Sequence, residues 1–167
     1  MRGQNVRNIR NIAQEYVRSD VRLYPYAVSV INVLHQKGLS VIVISGAPQE
    51  VLEVFGQDLG VDMVIGITVK TSMDGKIFSG FLKRNSAEAQ TKNLQVRYLK
   101  RHYNILLALG DSDADIPMLK AAKLPIMLLN SDKPQYFSLP LGTMKILRQN
   151  LLVVLTSELD KLKREDI

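Results

Sequence analysis

Ile105-Leu106-Leu107-Ala108-Leu109-Gly110-Asp111-Ser112-Asp113-Ala114-Asp115-Ile116-Pro117-Met118-Leu119 is the stretch that decides the fold. Its first five residues are wholly apolar, the pattern of a strand buried on both faces in a parallel sheet. Gly110 ends the run, and three carboxylates follow within five residues. Ile116, Met118 and Leu119 then restart an apolar patch at helical spacing. Strand, acidic turn and helix is the geometry in which an open α/β sheet receives ligands beyond the carboxyl ends of its strands. Three acids so close repel one another unless a cation offsets them, and oxygen-only ligation with room for water suits Mg²⁺. The competing explanation is a solvated turn in which Asp113 or Asp115 caps the helix. Context has to separate the two.

Downstream, Pro125 to Leu129 reads as a short strand and Met144 to Leu147 as an edge strand, with a Pro- and Gly-containing loop over 130–143. A last helix from Asn150 to about Lys163 carries Leu151, Leu152, Leu155, Leu159 and Leu162 on one face. Upstream, Ser86 is expected to cap a helix reaching about Arg101, with Ala87, Leu94, Tyr98 and Leu99 inward and Lys92 in its first half. Asp74-Gly75, between Thr68–Thr71 and Lys76–Phe81, signals a type I′ hairpin, after a strand over Met63 to Ile67. Leu39 to Ile44 is a β-branched run read as a buried parallel strand, ending at Ser45-Gly46-Ala47-Pro48. A hydroxyl followed by glycine at a strand end, facing a helix N-terminus, suits a phosphate. A serine in that position serves equally as an N-cap. Pro25 is placed to open a helix burying Ala27, Val30, Ile31 and Leu34, with His35 at its boundary. Residues 4 to 18 form an amphipathic helix with Val6, Ile9, Ala13, Tyr16 and Val17 on its stripe.

The chain has 167 residues, 46% hydrophobic and 23% charged, which suits one soluble domain over 1–167. It has no cysteine, so disulfides and thiolate metal sites are excluded. No apolar run approaches the roughly 18 residues needed to span a bilayer, and the polar, basic N-terminus is unlike a signal peptide. A cytoplasmic location and no membrane partner are expected. The net charge of +6 is dispersed over the first helix, Lys83 to Arg101 and the C-terminal tail. It forms no basic block interleaved with aromatics, which disfavours nucleic acid as a partner.

Three features in order carry a resemblance: Val-Ile-Val-Ile-Ser45-Gly46-Ala47-Pro48, then the helical Lys92, then the strand ending in Gly110-Asp111-Ser112 with Asp115-Ile116-Pro117-Met118-Leu119. Leu23-Tyr24-Pro25 and the Gly60 to Gly80 stretch, with Met73-Asp74-Gly75-Lys76 and Ser79-Gly80, add to it. Over residues 20 to 130 the chain resembles the haloacid dehalogenase superfamily, in its phosphoserine-phosphatase-like branch. That resemblance implies an α/β, three-layer Rossmann-like core with a mostly parallel sheet and a β-hairpin excursion. It implies Mg²⁺-dependent phosphomonoester hydrolysis through an aspartyl-phosphate, with a small phosphorylated metabolite or phosphate as the partner. Carried over residue by residue, Ser45 would hydrogen-bond the phosphoryl group and Gly46 would let the backbone approach it. Lys92 would neutralise phosphoryl charge. Asp111 would be a Mg²⁺ ligand, and Asp115 would support the metal site or the lysine. Ala114 departs from the branch, where asparagine is usual, and the neighbouring Asp113 is not expected to bind the metal directly.

The family's nucleophile, the first aspartate of an Asp-x-Asp pair on the first strand, has no counterpart before Ser45. The resemblance therefore implies a core over 21–167 with its first strand missing, and residues 1–20 as a remnant of the last cap helix. Enzymatic status is open, and the isolated chain is expected to be inactive. Two neighbouring strands would be left with unpaired edges. The sheet could close over the gap, another copy could fill it as a homo-oligomer, or a separate chain could supply the strand. The alternatives to an enzyme are a non-catalytic phosphate-binding regulator and a module docking a partner through an open strand edge.

Overall fold

The computed structural model describes residues 1–19, 26–130 and 139–161. Leu23-Tyr24-Pro25, most of the 130–143 loop and the end of the last helix at Leu162-Lys163 lie outside the described residues. The chain is α/β and divides into two compact units, Met1–His35 with Ser40–Ala87 and Gln36–Leu39 with Glu88–Ile167, where one domain over 1–167 is expected from the sequence. No helix among the described residues is long and apolar enough to cross a membrane.

The first unit contains α1 (Val6–Ser19), α2 (Ala27–Gln36), β1 (Ile42–Pro48), α3 (Gln49–Leu59), β2 (Met63–Thr71) and β3 (Phe78–Arg84). Its sheet has the order β1-β2-β3. β1 pairs parallel with β2 from Ile42↔Met63 to Ile44↔Ile65, and β2 pairs antiparallel with β3. Residues 6–19 are helical, so no strand precedes β1 there. On α1 Ala13 is buried, whereas Tyr16, expected on the apolar stripe, is half exposed. α3 ends at Gly60 with φ 73°, where Val61 N–H reaches Gly56 O at 2.8 Å and Gly60 N–H turns back on Gln57. These two bonds satisfy carbonyls that the helix end would otherwise orphan.

The hairpin differs from the type I′ expectation. That turn needs positive φ at both central residues, but Gly75 is at φ 72° and no non-glycine among the described residues is positive. The strands pair at Thr71↔Phe78, and the longer loop is closed by Asp74 Oδ1, which accepts Ser72 Oγ–H at 2.5 Å and Lys76 N–H at 3.1 Å.

The second unit contains α4 (Ala89–Leu99), β4 (Leu107–Gly110), α5 (Ile116–Leu119), β5 (Leu124–Leu129), β6 (Met144–Leu147) and α6 (Leu151–Lys161). Its sheet is wholly parallel, in the order β4-β5-β6, with Leu107↔Leu124 through Gly110↔Met127 and Ile126↔Met144 through Leu129↔Leu147. β5 is central, and Ile126 and Met127 are completely buried, as a strand with a neighbour on each side and both faces covered should be. Leu119 packs with Ala108 and Met127, and Leu151, Leu155 and Leu159 form the buried stripe of α6. On α4 the buried residues are Lys92, Val96 and Leu99; of the residues expected inward Leu99 is buried, whereas Leu94 and Tyr98, and Ala87 ahead of the helix, are exposed. β1 and β4 belong to different sheets. Each has a partner strand on one side only among the described residues.

Where β1 loses register between Ile44 and Pro48, the Gln49 side chain takes over the ladder. Its Oε1 accepts Gly66 N–H at 2.7 Å and its Nε2 donates to Val64 O at 3.2 Å. A Cβ on Gly66 would lie 2.8 Å from Ala47 O and 2.9 Å from Gln49 Cα, both backbone atoms. Gly66→Ala should therefore destabilise the protein by about 1–3 kcal/mol, the usual range for overpacking. A urea midpoint equal to the parent's would show that β2 moves freely away from the β1–α3 junction.

Candidate functional site

The acidic turn is built around Asp115. Gly110 closes β4 against it so tightly that a Cβ there would lie 2.6 Å from Asp115 Cβ. Ser112, extended at φ −146° and ψ 164°, is the N-cap of a single 3-10 turn over Asp113–Asp115 that runs into the four-residue α5, with Pro117 in its first turn. Ser112 and Asp115 make a reciprocal capping box. Asp115 Oδ2 accepts the backbone N–H groups of Asp111 at 3.0 Å and Ser112 at 3.2 Å, and the Ser112 hydroxyl at 2.9 Å. Its Oδ1 accepts the ammonium of Lys92, which α4 delivers from its buried face. The two side chains are 8% and 7% exposed, so both charges are out of water. Burial alone pushes the Asp115 carboxyl up; the Lys92 ammonium and the Asp111 and Ser112 donors outweigh it and hold the group below its ordinary value.

Asp111, the residue after β4, is different: its side chain is 51% exposed. Its Oδ2 lies 2.6 Å from Nη2 of Arg148, whose Nε donates to Asn130 Oδ1 at 2.5 Å. Asp111, Asn130 and Arg148 each directly follow a strand: β4, β5 and β6 in turn. Asp113 is exposed. No group of three or more His, Cys, Asp or Glu side chains able to hold a metal exists among the described residues. With Asp115 saturated by donors, Asp111 and Asp113 are the carboxylates of this turn that reach solvent, and Asp111 is the one at the end of β4. One carboxylate supplemented by water and phosphate oxygens fits Mg²⁺, which is seldom held in an all-protein cage.

The structure thus brings together Lys92, Asp111 and Asp115 of the expected site residues, all in the second unit. Ser45 and Gly46 lie in the first unit, inside β1. Ser45 does not cap α3, whose N-cap is Pro48; its hydroxyl accepts Ala47 N–H at 3.2 Å and its carbonyl accepts the Ser86 hydroxyl at 2.8 Å. Gly46 is pressed by Ala87, whose Cβ would be 2.9 Å from an added Cβ. Ser86 is fully buried and is not the cap of α4, whose N-cap is Glu88. Sequence reasoning missed Ser112, Asn130 and Arg148. The Ser-x-x-Asp spacing of a capping box was a usable signal for Ser112; Asn130 and Arg148 are marked only by standing next to apolar runs.

A sequence model of the haloacid dehalogenase-like hydrolases matches residues 1–120. The chain is 29% identical over 125 residues to protein CicA of Caulobacter vibrioides, covering 73% of this chain and 56% of that protein. It is 32% identical over 130 residues to the inhibition of morphological differentiation protein of Streptomyces azureus, covering 74% of this chain and 46% of that one. The chain thus spans about half the length of these curated relatives. The solved phosphoserine phosphatase from T. onnurineus aligns over 97% of this chain and 68% of its own, with a TM-score of 0.56 and 26% identity.

Breaking a buried ion pair leaves an uncompensated charge, so Lys92→Met or Asp115→Asn alone should cost about 3–5 kcal/mol. The double variant Lys92→Met/Asp115→Asn should cost clearly less than the sum of the two single variants; additive losses in urea unfolding would mean the pair is not coupled. The pH dependence has a definite sign. Because the folded carboxyl of Asp115 lies below its unfolded value, its contribution is complete above about pH 4 and is lost as pH falls through the folded value. Asp115→Asn should flatten the acid limb of the stability profile, and an unchanged slope in acid titration would count against this assignment.

Proposed function

We propose, from the premise that this chain belongs to the haloacid dehalogenase-like hydrolase family, that it forms the phosphate- and Mg²⁺-binding part of a phosphomonoester hydrolase site of the phosphoserine phosphatase type. The observation that carries this reading is the buried Lys92–Asp115 pair beside the exposed carboxylate of Asp111 at the carboxyl end of a parallel strand. Ligands of open α/β sheets sit at that end.

On this reading Lys92, fixed by Asp115, offers its remaining N–H donors and its charge to a phosphoryl group. In the first unit, the Ser45 hydroxyl and the backbone at Gly46 are donors of the kind that suits a phosphate. Asp111 holds Mg²⁺ together with water and phosphate oxygens, and Asp115 keeps the lysine and the turn in position. Bound Mg²⁺ would neutralise phosphoryl charge, the main requirement of phosphoryl transfer. The Asp-x-Asp pairs of the sequence all fall within the acidic turn. No such pair precedes Ser45, so on this reading the nucleophilic aspartate is not supplied by this chain, which binds phosphate without hydrolysing its esters. The same reading carries a cytoplasmic location and a small phosphorylated metabolite as partner.

A second reading, docking of a strand, is favoured by one observation: β1 and β4 each lack a second neighbour among the described residues. A strand from another copy or a separate chain would satisfy such an edge. It predicts a concentration-dependent mass in solution that is insensitive to Mg²⁺.

The deciding assay is hydrolysis of a generic aryl phosphate and of phosphoserine, with Mg²⁺ and with chelator, alongside calorimetric binding of inorganic phosphate. No turnover is expected, with phosphate binding that needs Mg²⁺ and is lost in Asp111→Asn. Mg²⁺-dependent turnover abolished by Asp111→Asn would show that a nucleophile is present, and the inactivity part of the proposal would fall.

A further inference from the structure

Arg148 is the cation that already sits on Asp111. It is an intramolecular counter-charge rather than a surface decoration, because its side chain is 17% exposed while that of Asp111 is 51% exposed. Two bonds aim it. Nη2 meets Asp111 Oδ2 at 2.6 Å, and Nε is held by Asn130 Oδ1 at 2.5 Å. The backbone enforces the arrangement: Leu129 and Leu147 are register partners of β5 and β6, so Asn130 and Arg148 leave the sheet side by side. A guanidinium in a fixed fork next to a carboxylate is a strong, directional pairing.

We infer that Arg148 competes with the divalent cation for Asp111, so that metal binding requires the guanidinium to leave the carboxylate. This inference rests on the reading above that Asp111 is the metal-binding carboxylate. In this arrangement Lys92 offsets Asp115 and Arg148 offsets Asp111. When the cation takes Asp111, Nη2 has to leave the carboxylate while Nε keeps its bond to Asn130 Oδ1.

The test uses Mn²⁺ as the probe, with affinity read by calorimetry and by the free-ion electron paramagnetic resonance signal. The parent chain is compared with Arg148→Gln, Asp111→Asn and Lys120→Gln. Lys120 is exposed in the same unit, and its removal changes net charge equally without touching Asp111. Arg148→Gln should bind Mn²⁺ about tenfold tighter than the parent, the loss of one charge-assisted bond at a partly exposed site. Lys120→Gln should match the parent, and Asp111→Asn should lose the site. In a Mg²⁺ titration the Arg148 Nε–H resonance should shift in step with saturation. Arg148→Gln no tighter than the parent, or Lys120→Gln tightened equally, overturns the competition while leaving Asp111 as the ligand. Mn²⁺ binding that is the same in Asp111→Asn overturns the underlying metal assignment, and the competition with it.

Discussion

A lysine ammonium and an aspartate carboxylate, both withdrawn from water, hold the second unit in its shape. Neither charge is tolerable alone in that setting. The pair thus dictates which face of α4 turns inward, and it leaves Asp115 able to gather three further donors from the turn that it closes. Gly110 is the condition for that closure, since any side chain there would occupy the space of Asp115. Burial of an ion pair is weak evidence of stability for its own sake. Here its effect is positional: the pair and the donors on Asp115 fix the turn.

The strand and acidic turn were legible because their signals are local. An apolar run, a glycine and a Ser-x-x-Asp spacing each specify conformation within a few residues. β5 and β6 were equally plain as apolar runs, and they pair in parallel. The face of α4 was not legible. Hydrophobic spacing points to Leu94 and Tyr98, yet the helix buries Lys92, Val96 and Leu99. A lysine goes inward only if a carboxylate waits for it, and that partner lies 23 residues away in the sequence. The reciprocal pairing of Asp111 with Arg148 hides for the same reason across 37 residues.

The first unit teaches a related point through Ser86 and Gly46. Ser86 looks like a helix cap because serine before an amphipathic run usually is one. Its hydroxyl instead reaches 41 residues back to the carbonyl of Ser45, and the fully buried position follows from that bond. Gly46 looks like a phosphate-approach glycine, and the neighbour that demands it in this structure is Ala87. A residue type kept for packing and one kept for ligand approach leave the same letter in a sequence.

Asp111, Asn130 and Arg148 share a trait: each is the residue directly after a strand of one in-register parallel sheet. Successive side chains along a strand point to opposite faces. Gaining or losing one residue within β4, β5 or β6 would therefore turn that strand's terminal side chain away from the other two, even if every apolar residue were replaced by another of equal size. The three strands can drift in composition, but their lengths are locked together.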